Sequence, residues 1–161
     1  MGNYSSVESP GRIDLSTNVT AAQSRMVFIN PNGTVGSIQT NGSATSYNTS
    51  SDYRLKKDVL PMQSALAKLA MLKPVTFKWK VDGSDGQGFI AHELQAVFPD
   101  AVSGKKDATE EIEITDADGN VTGTETVALH QGVDHSKLVP TLVAALQELK
   151  AEFEAYRAAH P

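Results

Sequence analysis

The amino-acid composition of the chain changes near residue 50, and this change limits what each part can fold into. Residues 1–50 are rich in Ser, Thr, Asn and Gly, and they carry few charged residues: Glu8, Arg12, Asp14 and Arg25. Large apolar side chains are too few here for a core of its own. Such a segment stays disordered or gains a core by associating with other chains. We therefore predict two domains, residues 1–50 and residues 51–161.

The first part reads as short strands and turns. Residues 25–29 and 36–39 suit strands, and Asn32-Gly33 and Asn41-Gly42 suit the turns that follow them, because Asn-Gly tolerates a positive φ. The pattern predicts a β-rich segment.

The second part mixes helices and strands. Residues 63–72 suit a short helix before Pro74, residues 75–79 alternate like a half-buried strand, and residues 88–91 suit a second strand. Residues 92–98 suit a helical turn or two, and residues 112–127 a hairpin. This order predicts an α+β fold.

The last segment carries a regular apolar seam, which ends the domain in a long helix. Its members are spaced by three and four: Val139, Leu142, Leu146, Leu149, Phe153 and Tyr156. Two interpretations fit this spacing. The seam joins parallel helices of different chains, or it packs the helix on its own domain.

The composition of the chain argues against several classes of function. The chain has no cysteine, and its net charge of −5 disfavours a nucleic-acid surface. No apolar run approaches the roughly 20 residues that span a bilayer. The four histidines, His92, His130, His135 and His160, lack metal-ligand spacing. We expect no cofactor, metal, nucleic acid or membrane partner.

Ser51 and Lys56 are the candidate catalytic pair. A lysine amine activates a serine hydroxyl when the amine is neutral and close to it. Five residues is not a same-face helical spacing, so a turn or bend must bring the two together. On spacing alone, Ser51 and Asp52 more commonly cap a helix at a solvated surface turn.

Ring size favours one scissile bond. Attack by Ser51 on the carbonyl of Ser50 passes through a five-membered ring, whereas attack on its own carbonyl needs a strained four-membered ring. Self-attack therefore favours the Ser50–Ser51 bond, although Ser51 of a neighbouring chain has access to either flanking bond.

Four ordered blocks resemble the C-terminal intramolecular chaperone domain of bacteriophage tail spikes and tail fibres, the S74 peptidase family. They are residues 45–56, which resemble the family's cleavage motif, then residues 72–79, 88–95 with Phe98-Pro99, and 133–140. The resemblance covers roughly residues 45–155. Residues 109–127 depart from it as an apparent insertion, and His135 stands where a tyrosine is common.

The resemblance implies a homotrimer that guides the preceding strands into a triple β-helix or similar stalk and then releases itself. By position, Ser51 is the nucleophile and Lys56 its base. We expect Asp52 to orient the loop and Arg54 to help hold Lys56 neutral. The stalk, residues 1–50, would stay in the phage tail after assembly in the host cytoplasm, and the released domain would be absent from the virion. The alternatives are a non-cleaving trimerisation module and a receptor-binding fibre tip.

Overall fold

The computed structural model describes residues 4–8 and 12–160 and divides the chain into two compact units, Met1–Val59 and Leu60–Pro161. Strands and helices both occur, and a long helix ends the chain, which confirms the α+β class. Residues 1–3 and 9–11 of the predicted stalk lie outside the described residues.

The first unit consists of antiparallel strands. Strand β1 (Tyr4–Glu8) pairs with β2 (Arg12–Ser16). A second sheet has the order β3-β4-β5, formed by Gln23–Asn30, Gly33–Thr40 and Thr45–Thr49. The strands predicted at residues 25–29 and 36–39 lie within β3 and β4 and are confirmed. The unit continues into a one-turn 3-10 helix, Tyr53–Leu55.

No residue between positions 13 and 59 is buried. Strand β3 carries the apolar run Met26, Val27, Phe28 and Ile29, and all four side chains are at least 45 % exposed. Because successive side chains of a strand point to opposite faces, both faces of β3 present apolar groups to solvent. Within one chain this sheet therefore has no core.

Over its described residues, 60–160, the second unit mixes three α-helices with six strands, and its elements in chain order are α1 (Ala65–Ala70), β6 (Val75–Lys78), β7 (Asp85–Gly88), α2 (Ala91–Gln95), β8 (Val102–Ser103), β9 (Thr109–Thr115), β10 (Val121–Ala128), β11 (Gly132–Val133) and α3 (Val139–Ala159). Its strands pair as β6-β7, β8-β11 and β9-β10, all antiparallel. Two further 3-10 turns, Pro99–Ala101 and His135–Leu138, precede β8 and α3.

The core of the second unit forms around Leu94, Phe98, Ala101 and Leu138. Leu94 and Phe98 lie four residues apart, so the helical turn at α2 presents both to the same side. Partly buried apolar side chains complete the cluster: Leu69, Leu72, Phe89, Val97, Val102 and Val133. The short elements of this unit are thus held by one shared cluster.

One strand predicted in this unit is misplaced, and one predicted hairpin is confirmed. The strand predicted at residues 88–91 is wrong in position, because β7 ends at Gly88 and α2 begins at Ala91. The hairpin of β6 and β7 pairs Phe77 with Gly86, and a Cβ added to Gly86 would lie 2.6 Å from the Phe77 ring. Strand β7 is rich in glycine and shows no apolar alternation, so its sequence pattern did not predict it. The hairpin predicted at residues 112–127 is confirmed by β9 and β10.

Helix α3 packs on α1 through a face that is not the apolar seam. Its buried residues are Thr141 and Ala145, and the half-buried Glu148 continues that face. The six seam residues are between 49 and 67 % exposed. The interpretation that the seam packs the helix on its own domain is therefore wrong within a single chain.

Glu148 connects α3 to the first turn of α1. Its carboxylate accepts hydrogen bonds from the backbone N–H groups of Ala65, at 3.0 Å, and Leu66, at 2.7 Å. The first N–H groups of a helix have no partner within the helix, and Ser64 makes no side-chain cap here. The bond from Leu66, followed by that from Ala65, lowers the pKa of Glu148 below its ordinary value of 4.5.

Replacing Glu148 by Gln should lower the melting temperature of the second unit at neutral pH, because one amide oxygen replaces two carboxylate oxygens. Since the folded pKa lies below 4.5, the carboxylate's contribution is complete above that value and is lost as the pH falls through the folded pKa. The difference between the two proteins should therefore shrink as the pH falls through the folded pKa of Glu148.

Thermal melts followed by the helix signal in circular dichroism would measure this difference across the pH range. Glu152→Gln is the matched control, since this exposed residue lies one turn further along α3. A Glu148→Gln deficit that stayed constant down to acid pH would contradict the role of the charge.

Candidate functional site

A tight turn brings Ser51 and Lys56 together within one chain. The 3-10 helix Tyr53–Leu55 closes with a backbone bond from Lys56 N–H to the Tyr53 carbonyl at 3.0 Å. The chain thereby doubles back, and Lys56 Nζ donates a hydrogen bond to Ser51 Oγ at 2.7 Å. The two functional groups that the sequence singled out are therefore in direct contact, without help from a second chain.

Asp52 caps this turn and holds Arg54. Its Oδ1 accepts the backbone N–H of Arg54 at 2.8 Å and the guanidinium Nε at 2.9 Å, while Oδ2 accepts Nη2 at 2.8 Å. Such paired charge-assisted bonds fix orientation as well as distance. From the sequence we expect Arg54 to help hold Lys56 neutral. In the structure its guanidinium is paired with Asp52.

The ion pair shifts the titration of both partners. The side-chain bond from Arg54 is the main cause that lowers the pKa of Asp52, the backbone bond from Arg54 adds to it, and the charge of Lys56 contributes less. Asp52 in turn raises the pKa of Arg54. The turn next to Ser51 therefore carries a stable carboxylate over the neutral range.

Ser50 is attached to strand β4. Its backbone N–H donates to the Val35 carbonyl at 3.1 Å, and its hydroxyl donates to the Thr34 carbonyl at 2.9 Å. These contacts extend the β4–β5 pairing by one residue beyond Thr49. Sequence reasoning missed them, because β5 is polar and lacks apolar alternation. The two Asn-Gly turns that bracket β4 were the available signal, since they imply a strand returning along it.

Water reaches this site in a single chain. Every residue from 41 to 64 is exposed, including Ser51 and Lys56. Beside them Tyr53 and Leu55 are 81 % and 70 % exposed. A lysine works as a base only in its uncharged form, which burial favours. One chain thus supplies the geometry of a Ser–Lys pair and leaves it uncovered.

Other candidate residues do not assemble into a site. Among the described residues, no three His, Asp or Glu side chains converge as a metal ligand set. The acidic loop at Asp116 is a turn, in which Asp116 Oδ1 accepts the N–H groups of Asp118 at 3.0 Å and Asn120 at 2.9 Å. Across residues 4–8 and 12–160, no helix has both the length and the apolar character needed to cross a bilayer.

Comparison with known families matches residues 51–103 to the Peptidase_S74 model, the chaperone of endosialidase. Residues 51–103 are therefore similar to the chaperone of endosialidase. The resemblance predicted from the sequence is confirmed for these residues. The matched stretch begins at Ser51, so the candidate serine is its first residue, and the family is a peptidase-related one.

Among solved structures, one similar chain is the crystal structure of "a novel intramolecular chaperon". It shares 18 % identity and a TM-score of 0.44, over 63 % of this chain and 99 % of that one. No curated protein matches the chain.

Replacing Arg54 by Gln should raise the pKa of Asp52 towards its ordinary value of 3.8, because the guanidinium bonds are the largest cause of the lowering. Carboxyl titration by NMR in a Ser51→Ala background would measure the change. Asp82 is the internal control, since its pKa is lowered by bonds from Ser84 that the substitution leaves intact. An unchanged Asp52 titration would contradict the ion pair.

Proposed function

We propose that this chain is a self-releasing intramolecular chaperone, which trimerises, guides the β-rich segment before it into a stalk, and then cuts the Ser50–Ser51 bond. The observation that carries the proposal is the 2.7 Å contact between Lys56 Nζ and Ser51 Oγ. The position of Ser51 at the start of the chaperone segment agrees with it.

The proposed reaction has two steps. Neutral Lys56 takes the proton of the Ser51 hydroxyl, Oγ attacks the Ser50 carbonyl carbon through a five-membered ring, and the bond to the Ser51 nitrogen breaks as that nitrogen gains a proton. The Ser50 acyl group is then an ester on Ser51. Water hydrolyses this ester, which leaves a carboxylate on Ser50 and a free amine and hydroxyl on Ser51.

Asp52 serves in this scheme as the residue that shapes the turn. Its three bonds from Arg54 hold the 3-10 helix that carries Lys56 back to Ser51. Arg54 is already engaged by that carboxylate. A direct effect of Arg54 on Lys56 stays a prediction.

Two exposed apolar surfaces support the trimer. The first is β3, whose faces both carry apolar side chains, and the second is the seam of α3. Side chains of this kind are stabilised when neighbouring chains cover them. In the proposed homotrimer the seams meet in a parallel bundle, and the strands of three chains share a core as a triple β-helix or a similar stalk. The stalk would remain in a phage tail fibre or spike, and the chaperone segment would leave after cleavage.

Assembly would also activate the site. Because Ser51 and Lys56 are in contact but exposed in one chain, a neighbouring chain need not bring them together. Its contribution would be to shield the Lys56 amine from bulk solvent and so favour its neutral form. Cleavage would then follow correct assembly.

The exposure of the pair also favours a second candidate, a trimerisation module of the same type that does not cut. A solvated lysine is a poor base at neutral pH, and Ser51 would then only belong to the capped turn. Purified wild-type trimer that stays whole would support this candidate.

The variant Lys56→Met tests the proposal, and Lys57→Met, at the adjacent lysine, is its matched control. Removing a general base should slow cleavage by about 10²–10⁴-fold, whereas Lys57 contributes no atom to the Ser51 contact and its variant should cut at the wild-type rate. Time courses on denaturing gels would give the rates, and sedimentation would verify that both variants assemble. Equal loss of cleavage in the two variants, or full cleavage in Lys56→Met, would contradict the role of Lys56.

A further inference from the structure

We propose that strand β4 is the substrate-binding strand of this site and that Ser50 is a positioning residue for its own carbonyl. The inference rests on the proposed self-cleavage. In it, the residues before the scissile bond are held as an extended substrate segment along β4, much as an added strand pairs with a sheet edge. The substrate class is a polar extended segment that ends in a hydroxyl residue.

The pairing leads directly to the scissile bond. Asn48 lies opposite Ser37 and Thr49 opposite Gly36 in the antiparallel register. Ser50 follows with its N–H bonded to the Val35 carbonyl at 3.1 Å. The ladder therefore reaches the residue whose carbonyl is to be attacked.

The Ser50 hydroxyl supplies a second attachment. It donates to the Thr34 carbonyl at 2.9 Å, on the residue before Val35. One bond from the backbone N–H and one from the side-chain hydroxyl restrain two of the groups attached to the Ser50 Cα. A strand end held by one bond would fray, and small displacements of a reacting carbonyl are costly in rate. The hydroxyl thus limits the motion of the carbonyl that Ser51 attacks.

Gly36 sets how closely the substrate segment approaches β4. A Cβ at this position would lie 2.9 Å from the backbone carbonyl oxygen of Asn48, and 3.7 Å from the Phe28 ring. The close neighbour is backbone, which cannot move aside as a flexible side chain does. Any larger residue here would push the segment away from β4 two residues before the scissile bond.

The pair Ser50→Thr and Ser50→Val tests the role of the hydroxyl at nearly constant shape. Thr keeps the donor to Thr34, whereas Val replaces it by a methyl group. We expect Ser50→Thr to cut at close to the wild-type rate and Ser50→Val to cut about fivefold more slowly, the factor that corresponds to one hydrogen bond of about 1 kcal/mol. Pulse-labelled cell-free synthesis would provide a defined starting time for each chain.

Two further readouts separate positioning from a structural role. In a Ser51→Ala background, Ser50→Val should assemble as completely as Ser50→Thr. In the cutting chains, the Ser50→Val deficit should be the same factor at every pH, because the base is unchanged. A deficit in assembly, or a displaced pH profile, would overturn the positioning role.

Gly36→Ala should also slow cleavage, and Gly42→Ala is its matched control. A Cβ at Gly42 meets Thr20 at 3.7 Å, an ordinary contact. Equal rates in wild type, Ser50→Val and Gly36→Ala would overturn the inference while leaving self-cleavage intact. An uncut wild-type chain would instead overturn the self-cleavage and the role of Ser50 with it.

Discussion

The first unit buries no residue between positions 13 and 59, although it forms well-paired strands. Hydrogen bonds along a ladder do not by themselves hold a sheet in water, since they replace bonds to solvent at little net gain. Apolar groups on both faces of β3 therefore need cover from outside the chain. The trimer that we propose supplies this cover, and the same missing contacts leave the Ser51–Lys56 pair solvated until assembly.

Unlike the first unit, the second unit has a buried apolar core. Its core around Leu94 and Phe98 closes within one chain, and Glu148 joins α3 to α1 by two backbone bonds. Helix α3 uses one face for this internal packing and leaves its apolar seam exposed. A unit whose core closes within one chain and that still presents an apolar helix face suits the proposed chaperone role, because that face remains available to neighbouring chains.

Sequence patterns predicted the elements that carry apolar periodicity or turn signals, such as β3, β4, the β9–β10 hairpin and α3. They failed where the structure depends on polar backbone contacts. Strand β5 has no alternation, β7 is glycine-rich, and the attachment of Ser50 to β4 depends on a register that only the folded chain reveals. The contact between Ser51 and Lys56 depends on a turn, and sequence spacing did not reveal the bonds from Arg54 to Asp52 that stabilise this turn.

Intact mass spectrometry of purified wild type beside Ser51→Ala, with light scattering on both, tests the central proposal most directly. The account predicts two wild-type fragments, one ending at Ser50 and the other beginning at Ser51, and one uncut chain in the variant. Both proteins should pass through a trimer. A wild-type trimer that stays whole, or fragments that meet at another bond, would contradict it.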